Sequence, residues 1–308
     1  MSKGKTGRKS RPGRPLRQRA VRGRGRLLFA LTIAAIGTAA AVILWLGGGA
    51  GGSLAVLRTA DYHALTFSPQ DANIAYFGHH NGVMRTTDGG RTWHPLAAQR
   101  NFDAMALAVT PDAGQIFLAG HNIFQVSRDG GATWAPVAHD LPGTDIHGFA
   151  MSRSAPQRLY AFVVGHGLFT SANGGRSWKM LTDRLPGDVM GVAATPTPSV
   201  LYAASMRAGV LKSTDGGRTW ALVTNNLPSP AVLVLAGDPG SGDVVYAGTA
   251  GGLFKTTDGG TAWRRLPFPR SNVVALAVSP ARPNVLLAVS VKKDGGHIHR
   301  SETSGETW

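Results

Sequence analysis

The sequence predicts an all-β fold, a six-bladed β-propeller carried behind one N-terminal transmembrane helix. Three observations predict it. An octapeptide, STDGGRTW at 213–220, recurs in related form six times beyond residue 53. Short β-type runs precede every copy at matching spacing. Near the N-terminus, a strongly basic tail runs directly into an uncharged apolar stretch.

The tail accounts for most of the charge. The 308 residues carry a formal net charge of +15, yet residues 1–26 alone hold 11 Lys or Arg and no acid. The remainder holds 21 Lys or Arg against 17 Asp or Glu, a net of +4. The basicity is therefore mostly a tail, which could bind nucleic-acid phosphates but for which anionic lipid is the simpler partner, and no specific nucleic-acid partner is expected. Residues 27–46, LLFALTIAAIGTAAAVILWL, contain 20 residues and no charge. About 20 apolar residues in a helix cross a hydrocarbon core. A cleaved signal peptide is the rival reading, but its apolar region usually runs about 7–15 residues. We therefore read 1–26 as a cytoplasmic tail, 27–47 as a signal anchor and 48–53 (GGAGGS) as a flexible linker. The positive-inside rule leaves residues 54–308 outside the cytoplasm. It also sets the basic tail against anionic lipid at the inner leaflet. The chain has no cysteine, so neither a disulfide nor a thiolate metal site supports it.

The octapeptide copies are TTDGGRTW (86–93), SRDGGATW (127–134), SANGGRSW (171–178), STDGGRTW (213–220), TTDGGTAW (256–263) and SETSGETW (301–308). Their tryptophans fall at steps of 41, 44, 42, 43 and 45 residues, a period that signals a repeat architecture. In the second repeat, MALAVTP (105–111), QIFLAG (115–120) and IFQVSRD (123–129) precede the turn and TWAPVA (133–138) follows it. Each run is short, rich in β-branched or aromatic residues, and bounded by Gly, Pro, Asn or Asp. Four strands per repeat make one propeller blade, with the octapeptide as the turn between the third and fourth strands.

The residue types suit that turn. Asp88, Asp129, Asn173, Asp215 and Asp258 can accept bonds from nearby backbone N–H groups and close the loop. The paired glycines adopt backbone angles that other residues resist. The flanking Ser and Thr add hydroxyl-to-backbone bonds. Trp93, Trp134, Trp178, Trp220, Trp263 and Trp308 supply apolar plates to fill the space between sheets. The motif therefore reads as a staple of the fold.

At these residues the chain resembles the Asp-box, or bacterial neuraminidase repeat, superfamily, whose pattern is Ser/Thr-x-Asp-x-Gly-x-x-Trp. Sialidases, sortilin-type receptors, some xyloglucanases and photosystem II stability-factor proteins share it. The resemblance spans about residues 54–308 and implies a β-propeller with one Asp-box per blade. Asn173 replaces Asp in the third copy, and Thr303 does so in the last. The family includes enzymes, receptors and assembly factors, so the resemblance does not choose among them.

Six copies imply six blades. The last ends at Trp308 without the fourth strand that follows the other turns, while SLAVLR (53–58) has no blade of its own. We expect the N-terminal run to complete the sixth sheet and so remove two open edges.

First strands line a propeller's channel. Aligning HALTFSP (63–69), MALAVTP (105–111), HGFAMSR (147–153), MGVAATP (190–196), LVLAGDP (233–239) and VALAVSP (274–280) gives a ring of His63, Met105, His147, Met190, Leu233 and Val274. Two residues earlier stand Asp61, Asp103, Asp145 and Asp188, which alternation would set on the same face. The loops between second and third strands open on the same rim, opposite the octapeptide turns, and bring His80, His121, His166 and Arg207. These ten residues form the expected ligand-binding rim. His and Met suit copper, and His with carboxylate suits zinc. Ligand type alone sets no geometry, and the sequence assigns no metal, no cofactor and no catalytic residue.

A sialidase would need a Glu-activated Tyr, but Glu occurs only at 302 and 306, inside the last octapeptide. Tyr76, Tyr160, Tyr202 and Tyr246 repeat on second strands and read as core. The sequence thus points to a non-catalytic binding or assembly module with a protein or glycan ligand at the rim. The alternative is a glycosidase using neighbouring Asp residues, since two carboxylates about 5–9.5 Å apart suffice for that chemistry.

Overall fold

Short alternating runs separated by turn residues every eight to twelve positions favour antiparallel meanders, and the computed structural model is built of them. It describes residues 52–96, 102–228 and 231–308. The proposed anchor and basic tail lie outside the described residues, and no described helix is long and apolar enough to cross a membrane.

The first described strand is β1 (Ala55–Leu57). The first blade then holds β2 (Ala64–Phe67), β3 (Ala75–His79), β4 (Gly82–Thr86) and β5 (His94–Pro95). The second holds β6 (Ala104–Val109), β7 (Ile116–Gly120), β8 (Ile123–Ser127) and β9 (Ala135–Pro136). The third holds β10 (Ile146–Met151), β11 (Leu159–Val163), β12 (Gly167–Ser171) and β13 (Lys179–Thr182). In the fourth are β14 (Val189–Ala194), β15 (Leu201–Ser205), β16 (Gly209–Ser213) and β17 (Ala221–Leu222). The fifth holds β18 (Val232–Gly237), β19 (Val245–Thr249), β20 (Gly252–Thr256) and β21 (Arg264–Arg265). The last contributes β22 (Val273–Val278), β23 (Leu286–Lys292) and β24 (Gly295–Ser301).

Six four-stranded antiparallel sheets result, which makes the fold a six-bladed all-β propeller. The sixth sheet has the order β1-β24-β23-β22, so the N-terminal run supplies its outer strand as expected. Ala55, Val56 and Leu57 pair with Ile298, His297 and Gly296.

The octapeptide turns are held as their composition suggests. Thr86 Oγ1 donates to Asp88 Oδ1 at 2.8 Å and accepts from the Gly90 N–H at 3.0 Å. Asp88 in turn accepts from Thr92 N at 2.9 Å and Thr92 Oγ1 at 2.6 Å. Asn173 reproduces the scheme, accepting from Ser177 N at 2.9 Å. In the last copy the Thr303 hydroxyl takes the carboxylate's place and accepts from Thr307 N at 2.8 Å. There Ser304 occupies the left-handed region at φ 55°, where the first copy has Gly89 at 77°.

Five of the turns are tied by a backbone bond to the loop between the first and second strands of their own blade, as in Gly89 N to Asn73 O at 2.9 Å and Gly216 N to Ser199 O at 2.8 Å. The turns therefore sit on the face away from the loops between second and third strands.

The tryptophans are not equivalent. Trp93 and Trp263 are buried, whereas Trp134, Trp178, Trp220 and Trp308 remain partly exposed. The Trp93 indole packs with Leu287 and Ile298 of the sixth blade. Trp178 sets its edge against Phe124 of the preceding blade at 6.1 Å. Trp263 Nε1 donates across to Val223 O at 2.7 Å, while Trp93 Nε1 bonds within its own turn to Gly90 O at 3.1 Å. The second-strand tyrosines are core: Tyr76, Tyr160, Tyr202 and Tyr246 are all buried. Burial raises the phenol pKa of each, that of Tyr246 to about 12.

His299 on β24 is expected to make the core acid-sensitive. Its ring is buried edge-on to Phe268 at 5.0 Å, and Nε2 lies 3.2 Å from Ser290 Oγ. Burial lowers its pKa to about 4, helped by the positive charges of Arg270, His297 and Lys292. The unfolded chain binds this proton near pH 6.5 and the folded chain does not. Stability is thus complete above pH 6.5 and falls as pH drops from 6.5 to 4, by about 3 kcal/mol at about 1.4 kcal/mol per unit. His299→Phe should flatten that slope. Urea melts of both proteins at pH 7.5 and 4.5 check this, and equal acid losses would refute it.

Candidate functional site

The rim is organised by irregularities at the start of five of the six first strands, β2 of the first blade pairing regularly. In β6 the register shifts between Ala104 and Ala106, leaving Met105 as the extra residue. The same shift isolates His147 in β10, Met190 in β14, Leu233 in β18 and Val274 in β22. A β-bulge re-aims a side chain and bends the strand. Here the bulges turn His147, Met105, Met190 and Leu233 into the channel, which forms a cavity of about 240 Å³ also lined by His63. Strict alternation, from which the Asp–His pairs were expected, does not hold through a bulge. The pairs form because each Asp stands in the entry to its strand.

Asp103 is the hub. Its buried carboxylate lies between two imidazoles, with Oδ2 3.0 Å from His80 Nδ1 and 3.3 Å from His121 Nδ1. Its Oδ1 is 3.7 Å from His63 Nε2, and His63 also reaches Asp61 Oδ2 at 3.2 Å. Gly120, at the end of β7, makes this packing possible: a Cβ there would collide with the Asp103 carbonyl. On the other side, His121 and His147 stack with ring centroids 4.9 Å apart and an interplanar angle of 21°. Their Nε2 atoms are 3.0 Å apart, and Asp145 Oδ1 is 3.4 Å from His147 Nε2. One continuous chain of groups therefore runs Asp61, His63, Asp103, His121, His147, Asp145, with His80 bonded to its centre.

Burial lowers the pKa of His63, outweighing the opposing pull of Asp61 and Asp103. Burial likewise lowers that of His147, against the pull of Asp145. Both rings are thus biased toward the neutral form, able to donate through one nitrogen and accept or ligate through the other.

Three expected rim residues stand apart. Asp188 accepts from Ser205 Oγ at 2.7 Å in the fourth blade. Arg207 extends into solvent, its side chain 92% exposed, and reaches Asp188 at 3.8 Å. His166 is exposed on its loop beside Gly143. Sequence alignment set these on the same rim, but they serve a different arc of it. Arg153 was missed altogether. It lines the channel, and burial lowers its pKa. Its signal was present, since it ends HGFAMSR where the other first-strand runs end in Pro.

The sequence assigned no metal ligands. In the fold, His121, Asp145 and His147 each bring one ligand atom within 4.8 Å of the others, a His-His-carboxylate set.

No protein-family model and no curated protein matches the chain. Solved structures do. The chain is similar to the GH74 xyloglucanase from Xanthomonas campestris at 21% identity and a TM-score of 0.57, over 87% of this chain and 46% of that one. It is similar to YCF48 bound to a D1 peptide at 16% identity and a TM-score of 0.55, over 85% of this chain and 98% of the other. With the WD40 repeats of RRP9 it shares 11% identity and a TM-score of 0.61, over 82% and 98%. The chain spans less than half the length of the xyloglucanase. At such identities these likenesses establish the propeller fold and leave function to the site.

Proposed function

We propose that this chain is a membrane-anchored, extracytoplasmic propeller of the Asp-box type that binds a partner, protein or glycan, at the channel mouth opposite the octapeptide turns. One observation carries the reading. The mouth gathers chemically distinct side chains from adjacent blades into one connected concave site, from Asp61 and His63 through Asp103 to His121, His147 and Asp145. A few placed polar groups in a concavity are what ligand specificity requires. The opposite face repeats nearly one turn six times and offers little to distinguish one direction from another. The peptide-bound neighbour makes a protein partner the first choice. The basic tail then holds to anionic lipid while residues 27–47 anchor the domain.

The test uses the full chain in membranes as bait, after cross-linking. A partner should be captured by the wild type and by Arg91→Ala/Arg218→Ala, which alters the turns, and lost from His63→Ala/His147→Ala. Loss from the turn variant alone would refute the assignment of the face. Protease added to intact cells should remove the propeller and spare the tail, and a protected propeller would refute the topology. The xyloglucanase-like neighbour supplies the competing reading of a glycosidase. Hydrolysis of a glycan panel by the wild type, abolished in Asp103→Asn and Asp145→Asn, would replace the binding role with catalysis.

A further inference from the structure

We propose that the channel mouth binds one divalent transition-metal ion of zinc-like preference through His121 Nε2, His147 Nε2 and Asp145 Oδ1. The three atoms are separated by 3.0 Å (His121 to His147), 3.4 Å (His147 to Asp145) and 4.0 Å (His121 to Asp145). A circle through three points at those separations has a radius of about 2.1 Å, which is the Zn–N and Zn–O bond length. One position therefore lies at bonding distance from all three atoms, and a small outward shift of the exposed Asp145 and His121 side chains would bring them to the tetrahedral arrangement zinc prefers.

Two independent features fit the same ion. The first is the tautomer. His121 turns Nδ1 toward the buried Asp103 carboxylate at 3.3 Å. That contact keeps the proton on Nδ1 and leaves Nε2 as a lone-pair acceptor, facing His147 Nε2 at 3.0 Å and available to a metal that takes the place of the shared proton, the carboxylate–histidine–metal arrangement of functional metal sites. The second is the ligand oxygen. Asp145 Oδ1 is a buried atom that makes no hydrogen bond within the described residues. Its nearest groups are the two imidazole nitrogens at 3.4 and 4.0 Å, beyond good hydrogen-bond geometry, and a cation at the shared position would satisfy it. The ion would replace the proton that the two Nε2 atoms share at 3.0 Å.

The site is accessible. The side chains of His121 and Asp145 are each 44% exposed, and His147 borders the channel cavity. Three protein ligands at an open mouth leave a further coordination position for water or a ligand group, as in zinc sites that engage a second molecule. Imidazole with carboxylate selects zinc and its first-row neighbours over calcium or magnesium, which prefer all-oxygen shells.

The inference needs no partner protein, so it can fail without affecting the proposed binding role, and the reverse also holds. The experiment is isothermal titration of Zn²⁺ alone into purified, tag-free, metal-stripped full chain in detergent, with X-ray absorption at the zinc edge. The expected result is one ion per chain with two imidazole ligands and one carboxylate. His121→Ala/His147→Ala should weaken binding at least about 100-fold, and Asp103→Asn, which removes only the outer carboxylate, about 10–100-fold. His166→Ala should leave it unchanged. Circular dichroism monitors folding, and if the double variant does not fold, His121→Gln at its exposed position decides by the same criterion. Absence of one-to-one binding overturns the proposal, as does binding that survives loss of His121.

Discussion

Trp93→Ala should destabilise the propeller by about 3–5 kcal/mol, the range for truncating a large buried aromatic. Its indole is 2% exposed and sits among Phe77 of its own blade and Ala275, Leu287 and Ile298 of the sixth. It meets Phe77 edge-on at 6.1 Å and 74°, and Nε1 is satisfied by Gly90 O. Removing it empties the seam where the last blade meets the first. The neighbouring Gly90 already packs tightly, since a Cβ there would stand 3.1 Å from Leu287 Cδ2. The walls are therefore sheet residues on two sides, and the cavity cannot collapse cheaply. Denaturant titration should show a lower midpoint with an unchanged slope. Trp134→Ala and Trp220→Ala should cost less, because those rings keep part of their surface in water. If Trp93→Ala cost no more than Trp220→Ala, burial at the seam would not be what Trp93 provides.

A larger effect is expected where the ring closes. Ala55→Asp/Leu57→Asp should eject β1 and leave most of the population unfolded or aggregated. Both side chains are buried in the cluster shared by the first and sixth blades. Breaking burial there with two unpaired carboxylates costs several kcal/mol each. That approaches the whole stability of a typical domain, about 5–15 kcal/mol. The strand is held along its length: Leu54 N donates to Ile298 O at 2.8 Å, Tyr62 Oη donates to Leu57 O at 3.0 Å, and Ser53 Oγ lies 3.1 Å from His297 Nδ1. Losing it would bare the seven-residue edge of β24 to pairing with other chains. Size-exclusion chromatography and thermal melts read the result. A double variant that elutes and melts as the wild type would mean the ring closes without β1.

The architecture was legible because it is written locally and repeatedly. A Ser or Thr, an Asp, two glycines and a Trp within eight residues specify a turn whose side-chain bonds lie almost all within that turn, as at Thr86 to Trp93. Strand alternation and the period then fix how many blades there are, and an unpartnered run at 53–58 predicts the clasp. The rim was legible as a list of residues and not as a site. His63, His80, His121, His147, Asp61, Asp103 and Asp145 meet, whereas Asp188, His166 and Arg207 do not join them. The reason is physical. Four of the rim contacts join side chains of different blades, His63 and His80 to Asp103 and His121 to His147 and Asp145, and their lengths depend on ring curvature, on the bulges that turn first-strand residues inward, and on how closely backbones approach. Gly120 lets the Asp103 backbone come near enough for its carboxylate to be buried between two histidines, a relation between positions 17 residues apart that no local pattern encodes. The sequence by itself determined the blades, the turns and the closing strand, through interactions between near neighbours and one repeated period. Only the tertiary structure decided which imidazoles meet which groups of the neighbouring blade, as His63 and His80 meet Asp103 and His121 meets His147, because that depends on the packing of one blade against the next.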